Sequence, residues 1–340
     1  MIAHQQISIP ITDRSSIGQA RRMSSLIGER ARMRELELGR IPLIVTELAT
    51  NLLRHATGGE IIIRMLPVEV APGLEIIALD RGPGIADLRR CMTDGYSGAG
   101  TRGCGLGAVR RLSTEFDIYS TQPSGTVVVS RVWGNDDNPP ATTEFSAICV
   151  PAPSETECGD AWQLRLVGHG LSAIVVDGLG HGPLAAKAAA VGLVVFGEGR
   201  FEGPLAYFEA AHSSMNTTRG AAIAVAQVNT NQRKLQYAGV GNIAGRLVSV
   251  ETGKSSSLMS YNGIVGTAVR KLQQFDYQWQ DRDLLIKHSD GLSDRWNLSD
   301  YPGLAWADTG VIAAVLYRDA KRARDDATVL VARLKTGSLL

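Results

Sequence analysis

The length, composition and charge of the chain exclude several classes of protein. With 340 residues and 44% hydrophobic content, the chain can form two ordinary domains that each bury a core. Its 35 basic and 34 acidic residues leave a formal net charge of +1, so no strong field directs it to nucleic acid or anionic lipid. No stretch approaches the ~18 consecutive apolar residues of a membrane span, and residues 1–10 lack the pattern of a secretion signal. We therefore expect a cytoplasmic protein whose partners are neither nucleic acid nor a membrane.

The four cysteines fit that expectation. They have neither the spacing of metal ligands nor the density of a disulfide scaffold: Cys91, Cys104, Cys149 and Cys158. This usage is typical of a reducing compartment, and we expect these cysteines to be small core residues.

The first third of the chain predicts helices over a mostly antiparallel sheet. Apolar residues recur at helical spacing over 41–55, and a second helix should begin within 104–112. Strand-like runs occupy 60–65, 74–79, 116–120 and 126–133. Such an order indicates an α+β layer.

A break follows at residues 134–140, which combine turn-forming residues with a Pro-Pro pair. Adjacent prolines disfavour both helix and strand pairing. We therefore place a first domain at 1–134, a linker at 135–141 and a second domain at 142–340.

The second domain predicts antiparallel sheets flanked by helices. Its strand-like runs lie at 163–167, 172–176, 221–228, 234–238, 244–250, 283–288 and 327–334. Its helix-like stretches lie at 183–195, 205–213 and 310–324.

Three blocks of the first domain are suited to nucleotide. Glu47 and Asn51 are four residues apart, so on a helix they project from the same face. A carboxylate and an amide there can orient an attacking hydroxyl and hold a phosphate-bound Mg²⁺. Alone, the pair is more typical of a solvated helix face, and it gains weight only from the blocks that follow.

The second block is Asp80 with Gly82 and Gly84. Asp80 closes an apolar run, and its carboxylate can accept a hydrogen bond from an exocyclic amine such as that of adenine. The glycines let the backbone turn tightly beneath a base. A strand-ending turn of the Asp-x-Gly type is the alternative interpretation.

The third block, residues 95–107, is rich in glycine and leads into a helix-like pattern. Backbone N–H groups of such a loop, and the start of the helix that follows it, bind phosphates. A flexible loop is the alternative.

Aspartates mark strand ends and turns of the second domain: Asp160, Asp177, Asp290 and the pair Asp325-Asp326. Carboxylates that converge repel one another unless divalent cations neutralise them, and Mg²⁺ and Mn²⁺ prefer oxygen ligands. Two such ions can activate one water and stabilise a phosphoryl oxygen during displacement. Each Asp-Gly alone is a turn signal, but the set predicts a metal site.

The three blocks in this order resemble the GHKL ATPase fold, an α/β sandwich shared by gyrase, Hsp90, histidine kinases and MutL. Residues 80–85, the glycine loop and residues 110–116 are similar to the anti-sigma and stressosome serine kinases of the RsbT and RsbW type, and the similarity covers 7–133. The resemblance implies that Glu47 is the general base, that Asn51 binds Mg²⁺ and that Asp80 reads adenine. It also implies a nucleotide pocket and lid lined by Gly82, Gly84, Thr101, Gly103, Gly105 and Gly107.

The carboxylate set resembles that of the metal-dependent PPM serine/threonine phosphatases, in particular the bacterial SpoIIE and RsbX branch, over 145–335. The resemblance implies an αββα sandwich in which Asp177 bridges two Mn²⁺ or Mg²⁺ ions and Asp290 is its catalytic partner. The other metal ligands that it implies are the Gly178 carbonyl, Asp160, Asp290 and Asp325. One departure is Gly241-Asn242-Ile243-Ala244, where many relatives have Gly-His-Asn-Pro, and it leaves open how this loop handles substrate.

Together these resemblances imply an ATP-dependent serine/threonine kinase fused to an opposing metal-dependent phosphatase. Both halves would act on STAS-domain proteins of a partner-switching or stressosome pathway, with a sigma factor or a downstream signalling enzyme as further candidate partners. Two alternatives stay open: the first domain only sequesters a partner while ATP sets its conformation, or it regulates the phosphatase allosterically. Glu47 argues against sequestration alone, because a nucleotide sensor needs no base.

Overall fold

The computed structural model describes residues 6–56, 58–66, 72–92, 105–134, 143–153, 155–199 and 201–334. The chain divides into two compact units. Unit 1 comprises Met1–Ala141 together with Gly310–Arg318, and unit 2 comprises Thr142–Thr309 and Asp319–Leu340. Unit 1 thus includes a segment from far along the chain, which no pattern in the sequence indicates. The linker predicted at 135–141 lies outside the described residues.

Unit 1 is built on one antiparallel sheet. Its strands are β1 (Gln6–Ile11), β2 (Gly59–Met65), β3 (Gly73–Leu79), β4 (Glu115–Thr121) and β5 (Gly125–Trp133). Its helices are α1 (Arg14–Arg30), α2 (Glu35–His55), α3 (Leu88–Cys91) and α4 (Gly105–Leu112). The strand order is β1-β2-β3-β5-β4. The sequence patterns predict this layer of helices over an antiparallel sheet, but they miss β1, α1 and α3.

The core of unit 1 lies between one face of this sheet and the helices α1, α2 and α4. Side chains alternate along a strand, so Ile61 and Ile63 of β2 face this core together with Ile76 of β3. Helix α2 buries a stripe at helical spacing that includes Ile44 and Leu48. This packing fixes the rotation of α2 about its axis, and with it the face that carries Glu47 and Asn51.

The second face of the same sheet is also buried. Ile62 and Ile77 alternate with the core-facing residues, and each is at most 1% exposed. The segment Gly310–Arg318 lies on this side of the sheet, because the Tyr317 hydroxyl donates a 3.1 Å hydrogen bond to Glu60, which shares the face of Ile62. Unit 1 therefore has helical cover on both faces.

Unit 2 contains two five-stranded antiparallel sheets. Its strands are β6 (Thr143–Val150), β7 (Asp160–Val167), β8 (Gly170–Gly178), β9 (Ala221–Asn229), β10 (Lys234–Val240), β11 (Ala244–Val248), β12 (Ser255–Leu258), β13 (Gly263–Ile264), β14 (Ala268–Val269), β15 (Phe275–Gln278), β16 (Leu284–His288) and β17 (Ala327–Leu334). The sheet orders are β15-β10-β9-β8-β7 and β12-β11-β16-β17-β6, and β13 pairs with β14. The helices are α5 (Pro183–Glu198), α6 (Pro204–Ser214) and α7 (Thr309–Ala320), of which α7 contributes its middle to unit 1.

The two sheets face each other across a shared core. Trp162 and Ala173 of one sheet and Leu285 and Leu330 of the other belong to a single apolar cluster. Helices α5 and α6 pack on the outer face of the first sheet through a second cluster. This confirms the prediction of antiparallel sheets flanked by helices, although the patterns miss β6 and β12 to β15.

Two expectations about single features have clear outcomes. Cys91, Cys149 and Cys158 are only partly buried, so the expectation of core cysteines is wrong for these three, and Cys104 lies outside the described residues. Among the described residues, no helix is both long enough and apolar enough to cross a membrane.

Candidate functional site

The first candidate site of unit 1 lies where α4 begins beside α2. Glu47 and Asn51 are one turn apart on α2, and both are half-buried. Gly105 is the first residue of α4, and a Cβ added to it would lie 3.4 Å from Asn51 Nδ2. Gly107 is buried two residues further along α4. The structure thus brings Asn51 and Gly105 together, whereas Thr101 and Gly103 lie outside the described residues.

Asp80 follows β3 close to the carboxyl end of α2. Its Oδ1 accepts hydrogen bonds from Gly82 N at 2.6 Å and from Thr126 N at 3.3 Å. Burial raises the pKa of the Asp80 carboxyl, and these backbone hydrogen bonds oppose the shift. A Cβ at Gly82 would lie 3.0 Å from the His55 carbonyl oxygen at the end of α2, so only glycine fits between the two segments.

Two further contacts fix the turn after Asp80. Gly84 has a φ of +74°, and a Cβ there would lie 2.6 Å from the Thr121 carbonyl oxygen. Arg318 donates from Nη1 to the Asp80 carbonyl oxygen at 3.3 Å, and Arg81 donates in turn to the Arg318 carbonyl. Sequence reasoning missed Arg318, since a separation of 238 positions leaves no local signal.

In unit 2, strand pairing assembles the predicted aspartates. Asp160 opens β7 and pairs in register with Asp177 near the end of β8. Asp290 follows β16 and lies close enough to Asp177 for its charge to raise the pKa of that carboxyl. Asp325 and Asp326 precede β17, the neighbour of β16 in the second sheet.

Burial and mutual repulsion dominate the electrostatics of this cluster. Burial, together with the charges of the other four aspartates, raises the pKa of Asp177 to about 9. Burial raises the pKa of Asp160 to about 7, although the hydrogen bond from Ser289 opposes the shift. Burial is also the main cause of the raised pKa of Asp290. Cations would therefore be strongly favoured among these carboxyl groups.

Neighbouring groups orient individual carboxylates. Asp160 Oδ2 accepts a 2.6 Å hydrogen bond from Ser289 Oγ, and Asp290 Oδ2 accepts one of 2.6 Å from Asn242 Nδ2. Asn242 belongs to the loop that departs from Gly-His-Asn-Pro, so this departure places an amide against a predicted ligand. Gly178 has no space for a side chain, because a Cβ would collide with the Ala185 carbonyl of α5.

The two consecutive aspartates have different surroundings. Asp326 is buried, and its two oxygens accept hydrogen bonds from Ala152 N at 2.8 Å and from Gly159 N at 3.0 Å. Asp325 is partly exposed. Asp326 therefore holds a loop, which leaves Asp325 as the better candidate ligand of the pair.

The donor set suits hard divalent cations. In the described part of the chain, no three His, Cys, Asp or Glu side chains converge as a ready metal site. The carboxylates of Asp160 and Asp290 instead accept hydrogen bonds from Ser289 and Asn242. Because Mg²⁺ or Mn²⁺ would neutralise the repulsion among the carboxylates, all-oxygen ligands of this kind fit such ions.

Comparison with known proteins gives a match for each half of the chain. Residues 11–132 match the histidine kinase-like ATPase domain family, and residues 167–335 match the stage II sporulation protein E (SpoIIE) family. The serine/threonine-protein kinase RsbT of Bacillus subtilis (strain 168) is 34% identical over 130 residues, which cover 38% of this chain and 98% of RsbT. The phosphoserine phosphatase RsbX of the same strain is 27% identical over 136 residues, which cover 40% of this chain and 68% of RsbX.

A solved structure extends the comparison to the fold. A chain from a study of "the bacterial stressosome: a modular system that has been adapted to control secondary messenger signaling" superposes with a TM-score of 0.53 at 28% identity. The match covers 57% of this chain and 100% of the other chain. These matches confirm the predicted fold class, a GHKL-type ATPase domain followed by a PPM-type phosphatase domain. The chain belongs to the RsbT family of histidine kinase-like ATPases and carries, in its second half, a PPM-type serine/threonine phosphatase domain of the SpoIIE and RsbX type.

Proposed function

We propose that the chain is a bifunctional partner-switching regulator that phosphorylates and dephosphorylates STAS-domain proteins. The observation that carries the proposal is the cluster around Asp177, in which buried carboxylates raise one another's pKa as a set of metal ligands would. The kinase half is supported by the 34% identity to RsbT over nearly all of that kinase. The stressosome-related structure and RsbX support partners of the STAS type.

In the phosphatase half, two Mn²⁺ or Mg²⁺ ions would be held by Asp177, Asp160, Asp290, Asp325 and the Gly178 carbonyl. When bound, such ions supply an activated water and neutralise charge on the phosphoryl group. The protein's own contribution is to orient the ligands. Ser289 and Asn242 donate hydrogen bonds that orient the carboxylates of Asp160 and Asp290, respectively.

In the kinase half, Glu47 would accept the proton of the substrate hydroxyl, Asn51 would hold Mg²⁺ and Asp80 would accept the adenine amine. The pocket and its lid would be formed by Gly82, Gly84, Thr101, Gly103, Gly105 and Gly107. Asn51 against Gly105, and Asp80 with Gly82 against the end of α2, support this assignment.

Labelled ATP and a panel of STAS proteins test the proposal directly. The wild-type protein should consume ATP faster than phospho-STAS accumulates, because both activities address the same residue. Asp177→Asn should accumulate phospho-STAS, and Asn51→Ala should strip phosphate from a pre-phosphorylated partner without adding any. Mass spectrometry that finds the two activities on different residues or different proteins would contradict the proposal.

A second candidate function is that of a phosphatase alone. The first domain would then have no kinase activity and would either regulate the phosphatase or sequester a partner. The Arg318–Asp80 contact favours regulation, since only residues 319–324 separate Arg318 from Asp325 along the chain. Glu47→Gln separates the candidates. In a kinase it should bind Mg-ATP nearly normally and stop phosphotransfer, whereas in a pure regulator it should leave the ATP response of the phosphatase unchanged.

A further inference from the structure

Two cysteines of unit 2 lie side by side next to the carboxylate cluster. Cys149 is in β6 and Cys158 is in the loop that leads to β7, and their Sγ atoms are 3.5 Å apart. The Cys149 Sγ also lies 3.5 Å from the carbonyl oxygen of Asp160. Because both side chains are partly exposed, a small oxidant can reach the pair.

Asp326 holds the backbone at two points close to these cysteines. It accepts hydrogen bonds from Ala152 N, three residues after Cys149, and from Gly159 N, the residue after Cys158. A Cβ at Gly159 would lie 2.7 Å from Asp326 Oδ2, so the backbone there has little space to adjust. Since Cys158, Gly159 and Asp160 are consecutive, we expect a displacement of Cys158 to be passed on to Asp160.

We propose that Cys149 and Cys158 form an oxidation site at which a hydroperoxide converts the two thiols into a disulfide that distorts the adjacent metal site. An S–S bond is about 2.05 Å long, so the sulfurs must approach by about 1.5 Å. Rotation of the two side chains brings the sulfurs part of the way together. The remaining approach requires the backbone at Cys158 to move, because β6, which carries Cys149, is paired with β17 over its whole length.

The reaction balances with hydrogen peroxide as the oxidant. One sulfur attacks a peroxide oxygen, the O–O bond breaks, and a sulfenic acid and one water form. The second sulfur then attacks the first, the S–S bond forms, and the hydroxyl leaves as a second water with the remaining thiol proton. The two sulfurs lose the two electrons that the peroxide gains, and a dithiol reductant reverses the step.

Peptide mapping tests the modification on the full chain. The double variant Cys91→Ser/Cys104→Ser retains two of the four cysteines, so any intramolecular disulfide must join Cys149 to Cys158. After prolonged peroxide treatment it should lose two hydrogens and yield the linked peptide, and adding Cys149→Ser should abolish the link. Two free thiols, or sulfinic acid at either position without a link, would overturn the proposal.

Calorimetric titration with Mn²⁺ tests the effect on the metal site, which rests on the proposed phosphatase function. The oxidised double variant should bind Mn²⁺ about tenfold more weakly or worse, as expected when groups that orient a ligand are disturbed, and dithiothreitol should restore binding. When Cys149→Ser is added to the double variant, peroxide treatment should not change the affinity for Mn²⁺. Equal affinity of the linked and reduced forms would refute the distortion. Failure of the reduced protein to bind Mn²⁺ would instead refute the proposed function, and the mapping would still decide whether the disulfide forms.

Discussion

Asp80 already uses one carboxylate oxygen on the backbone, and this makes its contribution to nucleotide binding separable from its structural role. An asparagine can still accept the Gly82 N–H, but its NH₂ group would face the adenine amine, donor against donor. We therefore expect Asp80→Asn to weaken Mg-ATP binding by about 1.5–3 kcal/mol, roughly tenfold or more. Calorimetry measures the affinity, and unchanged phosphatase activity controls for folding. An ATP affinity equal to that of the wild type would remove Asp80 from the adenine site.

The raised pKa values of Asp177 and Asp160 predict an unusual pH dependence for the metal-free protein. A carboxyl whose folded-state pKa is raised stabilises the fold fully below its unfolded value of 3.8, and this contribution is lost as the pH rises through the folded values of about 7 and about 9. The free energy of unfolding in chelator should therefore fall between pH 6 and pH 9. Added Mn²⁺ should stabilise the protein more as the pH rises, since metal and protons compete.

Denaturant unfolding at several pH values, with chelator or Mn²⁺, measures both effects. Asp177→Asn removes the group with the higher pKa and is the matched control, because its slope with pH should be shallower in chelator and its response to Mn²⁺ small. If the wild type and Asp177→Asn show the same slope, the cluster does not govern the stability of the metal-free protein.

The sequence indicates a candidate site residue where one residue type at a strand end carries the signal. Asp160, Asp177 and Asp290 stand out because each is an acidic residue beside a turn-forming glycine or a strand end, and the structure brings them together. The groups that orient these carboxylates cannot be identified from the sequence, since Ser289 comes close to Asp160 only when the chain folds. Arg318 cannot be identified for the same reason, because 238 positions separate it from Asp80.

The two sheets of unit 2 pack around a buried lysine. Lys287 of β16 is fully buried, and its Nζ donates to the carbonyl oxygens of Ala173 and Ala224 in the facing sheet, at 3.1 and 2.5 Å. Burial lowers the pKa of this lysine well below its ordinary value of 10.5. The unfolded state therefore binds the proton more tightly, so the group destabilises the fold at neutral pH, and this effect vanishes as the pH rises toward the unfolded pKa.

Lys287→Met should accordingly stabilise unit 2. Methionine fills a similar volume without a charge, and both carbonyls belong to strands that are already paired. We expect a gain on the order of 1 kcal/mol, or a rise in melting temperature of about 2–4 °C. Lys234→Met is the control, because that side chain is 36% exposed and should change little. A destabilised Lys287→Met would show that the two hydrogen bonds outweigh the cost of the buried charge.

The elements that the patterns predict and those that they miss differ in composition. Strands β2, β3 and β8 are dense in β-branched and apolar residues, so their existence follows from the sequence. Helix α1 is rich in Arg and Ser and has a sparse apolar stripe, and its start is marked only by the capping box of Asp13 and Ser16. Helix α7 ends at Ala320 and not at 324, because Lys321 and Arg322 leave the helix to pair with residues 291 and 292.

Separating the chain near Pro139 should not yield two halves that each fold independently, because unit 1 includes Gly310–Arg318. Fragment 1–138 would lack the segment on the face of Ile62 and Ile77, and we expect it to bind a hydrophobic dye and to self-associate. Fusing residues 309–320 to the fragment through a flexible linker should suppress both effects. Gel filtration and dye fluorescence measure them. A monomeric fragment 1–138 without dye binding would show that the sheet is stable with one face uncovered.

The discontinuity of unit 1 also imposes an order of events on the growing polypeptide. A ribosome completes the strands of this sheet long before it reaches residue 310, and at about 5–20 residues per second the intervening stretch takes roughly ten to thirty seconds to make. During that interval the face of the sheet that carries Ile62 and Ile77 is not covered by the segment Gly310–Arg318. The sheet of unit 1 is therefore translated before most of unit 2 but covered only after it, and a chain released before Arg318 would carry an open apolar sheet face for chaperones or proteases to recognise.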